Sequence, residues 1–343
     1  MTRPVSVIVL GYGTEDLLES CLESIASQLP VDGELLLVDN GIARASERRS
    51  RWPGIVRVLG DGSENTGFAG GCLVAAEQAQ GEVLVFLNSD AILREEALDR
   101  LVTAAAAPGA GIVCGCLRLA QEPDLVNSVG NPLQFLGLTW AGECGSPASE
   151  HTDAHEVPVA TGGFFALSRA VWDAVGAFDP TYFAYHEDTD LSVRAWLSGR
   201  TVRVLPDAVA DHHYEFSRNP FKMYLLERNR FILVLTTYPT ALLRRVLPVL
   251  VLLEPAFFLL SVLQGWPRQK LQAWWWLANN TAYLRRRRAE VQALSTGPDA
   301  TARLAALMTA AIDPPNVPQP PGMGVLNAFL RGYWVLARPR RRG

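Results

Sequence analysis

A ten-residue stretch, 182–191, carries three carboxylates, Glu187, Asp188 and Asp190, within four residues. A helical pattern follows directly, so the cluster lies where a loop enters a helix. Closely spaced carboxylates of this kind are candidates for acid–base chemistry. Acidic residues are also favoured in a first helical turn, and Asp190 is placed to pair with Arg194 one turn on. The cluster alone therefore favours a plain helix N-terminus, and the case for chemistry depends on the rest of the chain.

A further acidic position, Asp90, follows the apolar run 83–87, which predicts a buried strand. A carboxylate at the tip of such a strand suits Mg²⁺ or Mn²⁺, which prefers oxygen ligands and shares them with substrate phosphates. His212 and His213 lie further along the chain, and one of them could reach the same site because neighbouring strand residues point to opposite faces. The alternative for Asp90 is the N-cap of a helix predicted over 94–107.

The elements that must position these residues are short apolar strands alternating with helical patterns. This alternation predicts an α/β fold with a doubly wound, mostly parallel sheet, whose ligands lie beyond the carboxyl ends of the strands. Tyr12 and Asp39 follow two such strands. Asp39 could accept hydrogen bonds from a base or ribose, or it could be a turn residue before Asn-Gly. The loop from Asn65 to Gly67 opens a helix whose N-terminus a phosphate could approach.

Charge is distributed unevenly along the 343 residues. The net charge is −4, yet residues 241–343 carry 14 Lys and Arg against four Asp and Glu. An acidic front and a basic, apolar back indicate a catalytic body with a surface for anionic lipid. No recognisable nucleic-acid module accompanies the basic runs, so we expect no nucleic-acid partner. Five irregularly spaced cysteines without a Cys-x-x-Cys pair, and a strand that starts at once without a signal peptide, favour a reduced cytoplasmic protein.

The apolar stretch 246–263 approaches the length of a membrane span but contains two prolines and Glu254. These features favour an interfacial or re-entrant helix pair, with a true span and a buried core hairpin as alternatives. Tryptophans at 266 and 274–276 and four arginines at 285–288 suit a membrane interface. The Pro/Ala-rich residues 296–324 predict a loose linker that leads to a basic amphipathic tail.

Seven short motifs occur in a fixed order along residues 3–240. They are Val5–Tyr12, Val38-Asp39-Asn40, Asn65-x-Gly67-Phe68-Ala69, Phe86-Leu87-Asn88-Ser89-Asp90, Thr161-Gly162-Gly163, His186-Glu187-Asp188-x-Asp190-Leu191 and Glu227-Arg228-Asn229-Arg230. Together they resemble the family 2 inverting glycosyltransferases with a GT-A fold, and within them the bacterial rhamnosyltransferase-like branch. One departure is Asn88, which stands where the Asp-x-Asp motif of the family has its first aspartate; the same departure is common in that branch.

The resemblance implies a role for each matching residue. Asp188 would be the general base and Glu187 its acidic neighbour. Asp90 would bind Mg²⁺ or Mn²⁺ together with His212, for which His213 is the fallback. The nucleotide-sugar donor would be bound by Tyr12, Asp39, Asn65, Gly67, Asn88, Asp90, Thr161, Gly162 and Gly163. The implied organisation is a GT-A domain at 1–220, a helical membrane-associated region at 221–290, and the linker and tail at 291–343.

By the same resemblance, we expect metal-dependent transfer of a sugar, with inversion, to a polyprenyl-diphosphate-linked saccharide in cell-wall or surface polysaccharide synthesis. The expected donor is dTDP-L-rhamnose, and the alternative is a UDP-sugar that supplies a galactosyl, galactofuranosyl or glucosyl group. Such an enzyme would work at the cytoplasmic face of the cell membrane, peripheral or re-entrant, on anionic lipid. Two remote alternatives are a nucleotidyltransferase and a non-catalytic membrane scaffold. The first should have a basic loop after the first strand, which residues 11–16 lack.

Overall fold

A computed structural model describes residues 5–213, 219–315, 317, 319 and 321–339. Its strands are β1 (Val5–Gly13), β2 (Glu34–Ile42), β3 (Val56–Leu59), β4 (Val83–Asn88), β5 (Ala91–Leu93), β6 (Ile112–Leu119), β7 (Glu122–Ser128), β8 (His155–Glu156), β9 (Phe164–Ser168) and β10 (Val202–His212). Its helices are α1 (Leu18–Ala26), α2 (Ala45–Arg48), α3 (Gly67–Gln78), α4 (Ala97–Ala106), α5 (Arg169–Val175), α6 (Glu187–Leu197), α7 (Pro220–Thr237), α8 (Thr240–Leu263), α9 (Pro267–Asn279), α10 (Thr281–Ala293), α11 (Pro298–Leu307) and α12 (Met323–Ala337).

The described strands form one sheet with the order β3-β2-β1-β4-β9-β6-β10-β5, with β7 beside β6 and β8 beside β10. The first four strands in this order are parallel, as the alternation of strands and helices predicts. β9 then runs antiparallel between β4 and β6, and β10 lies parallel to β6. The prediction of an α/β fold is confirmed, and the sheet is mixed in its second half.

Both faces of the parallel half are buried, which explains why its strands read as continuous apolar runs. Along β1, Val7 and Val9 pack with Leu18 and Leu22 of α1, whereas Ile8 packs with the cluster on the opposite face, which includes Cys72 of α3. This alternation follows from the two-residue period of a strand. The sheet is therefore held between helices, and the carboxyl ends of its parallel strands remain available for a site.

The apolar stretch predicted as a helix pair forms a single helix, α8, with Pro248 and Pro255 inside it. An interior proline removes one hydrogen bond and costs about 3 kcal/mol, which is why the sequence favoured a break. Packing against α9 and ion pairs from Glu254 to Arg230 and Lys270 keep the helix continuous. The prediction of two helices is therefore wrong.

The stretch predicted as a loose linker, 296–324, contains α11, whose Leu304 and Ala305 are fully buried. Gln134 bridges to Thr309 and holds the chain after α11 against the first half of the protein. This part of the linker prediction is wrong, because the alanines of α11 pack against the protein. The predicted amphipathic tail is α12, and residues 340–343 of the basic tail lie outside the described residues.

Candidate active site

The carboxyl ends of β1, β2 and β4 lie side by side at one edge of the sheet. In the strand register, Leu10 is opposite Asn88 and Gly11 is opposite Asp39. Tyr12 stands at the end of β1 with 54% of its surface exposed. The structure thus brings Tyr12, Asp39 and Asn88 together, because parallel strands that start on one side end on the same side.

Asp39 holds a turn, and its neighbour Asn40 organises the loop before α3. The Oδ1 atom of Asp39 accepts hydrogen bonds from the N–H groups of Gly41, at 3.2 Å, and Ile42, at 2.9 Å. Asn40 donates from Nδ2 to Oδ1 of Asn65 at 2.9 Å, and the same Oδ1 accepts from the first N–H of α3 at 2.9 Å. The turn role predicted for Asp39 is confirmed. Asn40, to which the sequence analysis assigned no role, shapes the helix N-terminus.

Gly67 begins α3 with a φ of +73°. A Cβ atom at this position would lie 2.3 Å from the carbonyl oxygen of Phe183, so the backbone before α6 rests directly on this glycine. The same oxygen accepts a hydrogen bond from the N–H of Ala69 at 3.0 Å. The glycine predicted for phosphate approach therefore also joins α3 to the loop that carries the carboxylate cluster.

A cavity of about 250 Å³ opens between the end of β1, the start of α3 and the start of α7. Its lining combines three predicted residues with an aromatic and basic wall that the sequence patterns missed: Tyr12, Asn65, Gly67, Phe183, Tyr185, Phe221 and Lys222. A larger cavity of about 550 Å³, near Arg118 and His151, contains none of the predicted site residues. We therefore place the candidate site at the smaller cavity.

Asp90 and His212 form the candidate metal centre. His212 ends β10 opposite Ala91, and its Nε2 lies 3.1 Å from Oδ1 of Asp90. His213 approaches Asp90 through its backbone N–H, which donates to the Asp90 carbonyl at 3.1 Å. Asp90 does not cap a helix, because α4 begins seven residues later at Ala97. The N-cap alternative is therefore wrong, and His212 is the histidine whose ring meets Asp90.

The hydrogen bonding of this pair fits a divalent cation. In the orientation assigned to the Asn127 amide, its Oδ1 lies 2.8 Å from Nδ1 of His212, so Nδ1 carries the proton and Nε2 would be the atom available to a metal. Two ligand atoms bound at right angles to one metal ion lie about 3 Å apart when each metal–ligand bond is about 2.1 Å. The 3.1 Å between Oδ1 of Asp90 and Nε2 of His212 matches this spacing. In the described residues, no group of three His, Cys, Asp or Glu side chains could hold a metal. Substrate oxygens would therefore have to complete the coordination.

Glu15 is a site residue that the sequence analysis missed. Its Oε1 accepts a hydrogen bond from the N–H of Tyr12 at 3.0 Å, and its Oε2 is buried without a partner. Burial raises the pKa of Glu15 to about 7, although the nearby Ser89 hydroxyl and the N–H of Tyr12 oppose the rise. No motif marks this position, since only the tertiary structure brings the start of α1 to the end of β4.

Asp188 lies in the first turn of α6 and is held by three donors. Its Oδ2 accepts from the N–H of Gly162 at 3.0 Å, and its Oδ1 accepts from the N–H and the hydroxyl of Thr189 at 2.6 and 3.1 Å. Burial raises the pKa of Asp188, and these three hydrogen bonds oppose that rise. A Cβ atom on Gly162 would lie 2.9 Å from Oδ2, so only glycine allows this approach. The carbonyl of Gly163 accepts from the N–H of Asn88 at 2.9 Å.

The predicted Thr161-Gly162-Gly163 segment thus connects Asp188 to the end of β4, and Thr161 itself is buried. Glu187 points into the protein, where Oε2 has no hydrogen-bond partner. Burial and the neighbouring charge of Asp188 raise the pKa of Glu187 well above its usual range. The three donors favour the ionised form of Asp188, whereas burial beside that charge favours the neutral form of Glu187. The predicted pair of Asp190 with Arg194 is confirmed at 2.7 Å.

The fold and the site together indicate which class of protein this chain belongs to. The chain superposes on the crystal structure of GalNAc-T7 with UDP, GalNAc and Mn²⁺ with a TM-score of 0.57 at 16% identity, over 69% of this chain and 48% of that one. The architecture is thus the GT-A fold of glycosyltransferases, as expected. The family described as Glycosyl transferase family 2 matches residues 6–176, about half of the chain. The chain belongs to glycosyl transferase family 2.

Two curated relatives show the breadth of the similarity. The N-acetylglucosaminyl-diphospho-decaprenol L-rhamnosyltransferase of Mycobacterium tuberculosis is 29% identical over 244 residues, which cover 62% of this chain and 77% of that protein. The polypeptide N-acetylgalactosaminyltransferase 5 of Rattus norvegicus is 23% identical over 239 residues, 65% of this chain. The match spans only 23% of the rat protein's own length.

Proposed function

We propose that the protein is a metal-dependent inverting glycosyltransferase in which Asp188 is the general base. The observation that carries this proposal is the hydrogen bond of 3.0 Å from Gly162 to Asp188. This bond holds the carboxylate of Asp188 near the sheet edge where β4 ends at Asn88, two residues before Asp90. A sugar whose diphosphate lies at Asp90 would then have a base within reach of the attacking hydroxyl.

In this mechanism the acceptor hydroxyl attacks the anomeric carbon from the face opposite the nucleotide. Asp188 takes the hydroxyl proton as the new bond forms, and the three donors to Asp188 keep its carboxylate ionised and oriented. A single displacement without an enzyme nucleophile inverts the anomeric configuration. Mg²⁺ or Mn²⁺ bound by Asp90 and His212 would supply positive charge for the leaving diphosphate.

We further propose that the donor is dTDP-L-rhamnose, with UDP-sugars as the alternative, and that the acceptor is a polyprenyl-diphosphate-linked saccharide. The mycobacterial relative supports both choices, because its name specifies an L-rhamnosyl group and a diphospho-decaprenol carrier. The structural neighbour with UDP and Mn²⁺ favours the UDP-sugar alternative and a divalent metal.

The test is nucleotide release by the purified protein with Mg²⁺ or Mn²⁺, a short polyprenyl-diphosphate-GlcNAc acceptor and a panel of dTDP-, UDP- and GDP-sugars. We expect turnover of one donor by the wild type and a loss of at least about 100-fold in Asp188→Asn. Donor binding by calorimetry should survive this substitution, since the base contacts the acceptor. Full activity of Asp188→Asn would overturn the base assignment, and a lack of both turnover and donor binding would overturn the transferase proposal.

We also propose that α8 and α12 dock on an anionic membrane at the cytoplasmic face of the cell. In the described residues, α8 is the one helix that is long and apolar enough, by length and composition, to cross a membrane. Only 22% of its most apolar window is buried within the protein. Large apolar side chains of both helices are exposed: Leu247, Val251, Leu252, Leu259, Val262, Leu263, Val325, Phe329, Val335 and Leu336.

Interfacial docking is favoured over spanning because the middle of α8 is tied to the protein. Glu254 pairs with Arg230 of α7 at 2.7 Å and with Lys270 of α9 at 2.9 Å. A helix held in this way presents one face to the protein and the opposite face to lipid.

The docking test is co-sedimentation with vesicles of phosphatidylcholine alone or with 30% phosphatidylglycerol (about one anionic lipid in three). We expect binding to the anionic vesicles and at least about a tenfold weakening in Val251→Asp/Leu252→Asp. Val31→Asp, at a fully exposed apolar position of the α1–β2 loop, is the control and should bind like the wild type. Equal binding by all three proteins would refute docking through α8.

A further inference from the structure

The loop before α6 has an unfavourable backbone conformation. Phe183, Tyr185 and His186 have φ angles of 64°, 68° and 68°, which non-glycine residues rarely adopt. Glu187 and Asp188 follow directly, so the path of this loop decides where the carboxylates begin. Such a loop persists only where surrounding groups hold it.

One side chain of α7 holds most of this loop. Asn229 is fully buried, and its Nδ2 donates to the carbonyl oxygens of Tyr182 at 2.9 Å, Ala184 at 2.8 Å and Tyr185 at 2.7 Å. An amide nitrogen has two hydrogens, so the three carbonyls share them. Oδ1 of Asn229 accepts from Nε of Arg228 at 2.9 Å, which fixes which way the amide points.

Arg228 of α7 also donates hydrogen bonds to the start of this loop. Its Nη2 donates to the carbonyls of Thr181 at 2.7 Å and Tyr182 at 2.9 Å. Its guanidinium lies over the rings of Tyr224 and Trp276, at 5.3 and 5.2 Å from their centroids. The carbonyl of Tyr182 also accepts from the N–H of Ala184 at 2.8 Å, so loss of the α7 donors would chiefly leave the partly buried carbonyls of Thr181, Ala184 and Tyr185 without these partners.

We infer that Asn229 is a positioning residue for the base: it fixes the loop 182–186 and, through it, the place of Asp188 beside Gly162. The inference rests on the proposed role of Asp188. Asn229 contacts the loop carbonyls and not Asp188, so it acts on the proton transfer only through the loop. Release of the loop would move the carboxylate relative to the acceptor hydroxyl, and a displacement of about 1 Å costs about 100-fold in rate.

The experiment is a double-mutant cycle on kcat with dTDP-L-rhamnose, or the UDP-sugar turned over in the panel above, and the polyprenyl-diphosphate-GlcNAc acceptor. Asn229→Ala should lower kcat about 100-fold in the wild-type background. In the Asp188→Asn background it should change the residual kcat by less than about twofold, because the base that it positions is already gone. A merely structural role would lower kcat in both backgrounds.

Gln292 offers a matched control. Its Nε2 donates to the carbonyls of Thr236 and Thr237, both at 3.1 Å, at the far end of α7. Gln292→Ala removes comparable hydrogen bonds from the same helix and should leave kcat unchanged within about twofold. Arg228→Met, which keeps the aromatic packing, removes two loop donors and should lower kcat about tenfold with the same dependence on Asp188. It serves as the test if Asn229→Ala does not fold.

The outcomes separate the inference from the proposed function. Full activity of Asp188→Asn would overturn the base assignment and, with it, this inference. An inactive Asp188→Asn combined with a kcat of Asn229→Ala or Arg228→Met equal to that of Gln292→Ala would overturn the inference alone. Additive losses in the cycle would also overturn it, since they would mean that Asn229 acts independently of Asp188.

Discussion

Replacing Glu254 by glutamine removes one charge from a buried network that joins α7, α8 and α9. Two acids, Glu227 and Glu254, face two bases, Arg230 and Lys270. Nη2 of Arg230 lies 2.8 Å from Glu227 and 2.7 Å from Glu254, while Nζ of Lys270 contacts both acids. The side chains of all four residues are at most 14% exposed. Burial alone would raise the pKa of Glu227, but Arg230 and Lys270 lower it to about 2.

The size of the effect follows from the balance of charges. The four groups sum to zero, and Glu254→Gln leaves one positive charge uncompensated inside the protein. Loss of one partner from a buried ion pair costs about 3–5 kcal/mol. Glu254→Leu/Lys270→Leu removes one charge of each sign, so it should be less destabilising than Glu254→Gln alone. The contact of Lys270 with Oε2 of Glu254, at 2.9 Å, is an ion pair without hydrogen-bond alignment, so the Arg230 contact should dominate.

Guanidinium unfolding in mild detergent measures both variants against the wild type. Glu290→Gln is the control, because Glu290 is 53% exposed and its contacts with Arg286 and Arg287 are long, at 3.8 and 3.7 Å. A surface pair of this kind contributes about 0–1 kcal/mol. The reasoning is refuted if Glu254→Gln loses less than about 1 kcal/mol, or if the double variant is less stable than the single one.

Three further predictions concern the site. Glu187→Gln should keep kcat within about threefold at pH 7, because burial beside Asp188 raises the pKa of Glu187 and favours its neutral form; a loss above about tenfold would mean that Glu187 acts as a carboxylate. Gly67→Ala should lower the unfolding free energy by about 1–3 kcal/mol, because Gly67 has a positive φ and a Cβ atom there would lie 2.3 Å from the carbonyl oxygen of Phe183. Gly332→Ala, in open space within α12, should raise the unfolding free energy by about 0.5–1 kcal/mol. Equal shifts in denaturant midpoint for the two variants would contradict this prediction. Burial lowers the pKa of His186 from 6.5 to about 4, so between these values the unfolded chain binds the proton that the folded chain does not, and stability is lost as pH falls. The raised pKa of Glu15 changes stability in the opposite sense over part of this range, so the wild type alone does not isolate His186. The measurement is the unfolding free energy of the wild type minus that of His186→Gln, which should fall from pH 7 to pH 5. A constant difference would contradict the lowered pKa of His186.

Local patterns were sufficient for the strands of the parallel half and for the start of α6. Apolar runs such as 83–87 are short and bounded by polar residues, so their strands could be predicted from neighbouring residues alone. The same holds for Asp188, because a loop-to-helix junction is a local feature. The positions of Tyr12, Asp39 and Asn88 at strand ends then imply one shared edge of the sheet.

Contacts between distant parts of the chain were decided only by the tertiary structure. The antiparallel insertion of β9 brings Gly162 to Asp188, and the end of β10 brings His212 to Asp90. The carboxyl of Glu15 and the amide of Asn229 carry no motif that assigns their partners.

The amino-acid sequence by itself determined the α/β class, the elements of the parallel half and the position of the carboxylate cluster, because each of these depends on spacing within a few residues. The tertiary structure decided that α8 is a single helix and that Glu254 within it is paired. It also decided which histidine meets Asp90 and which side chain holds the loop before Asp188. These contacts join residues far apart in the chain, so their energies depend on the path of the whole fold.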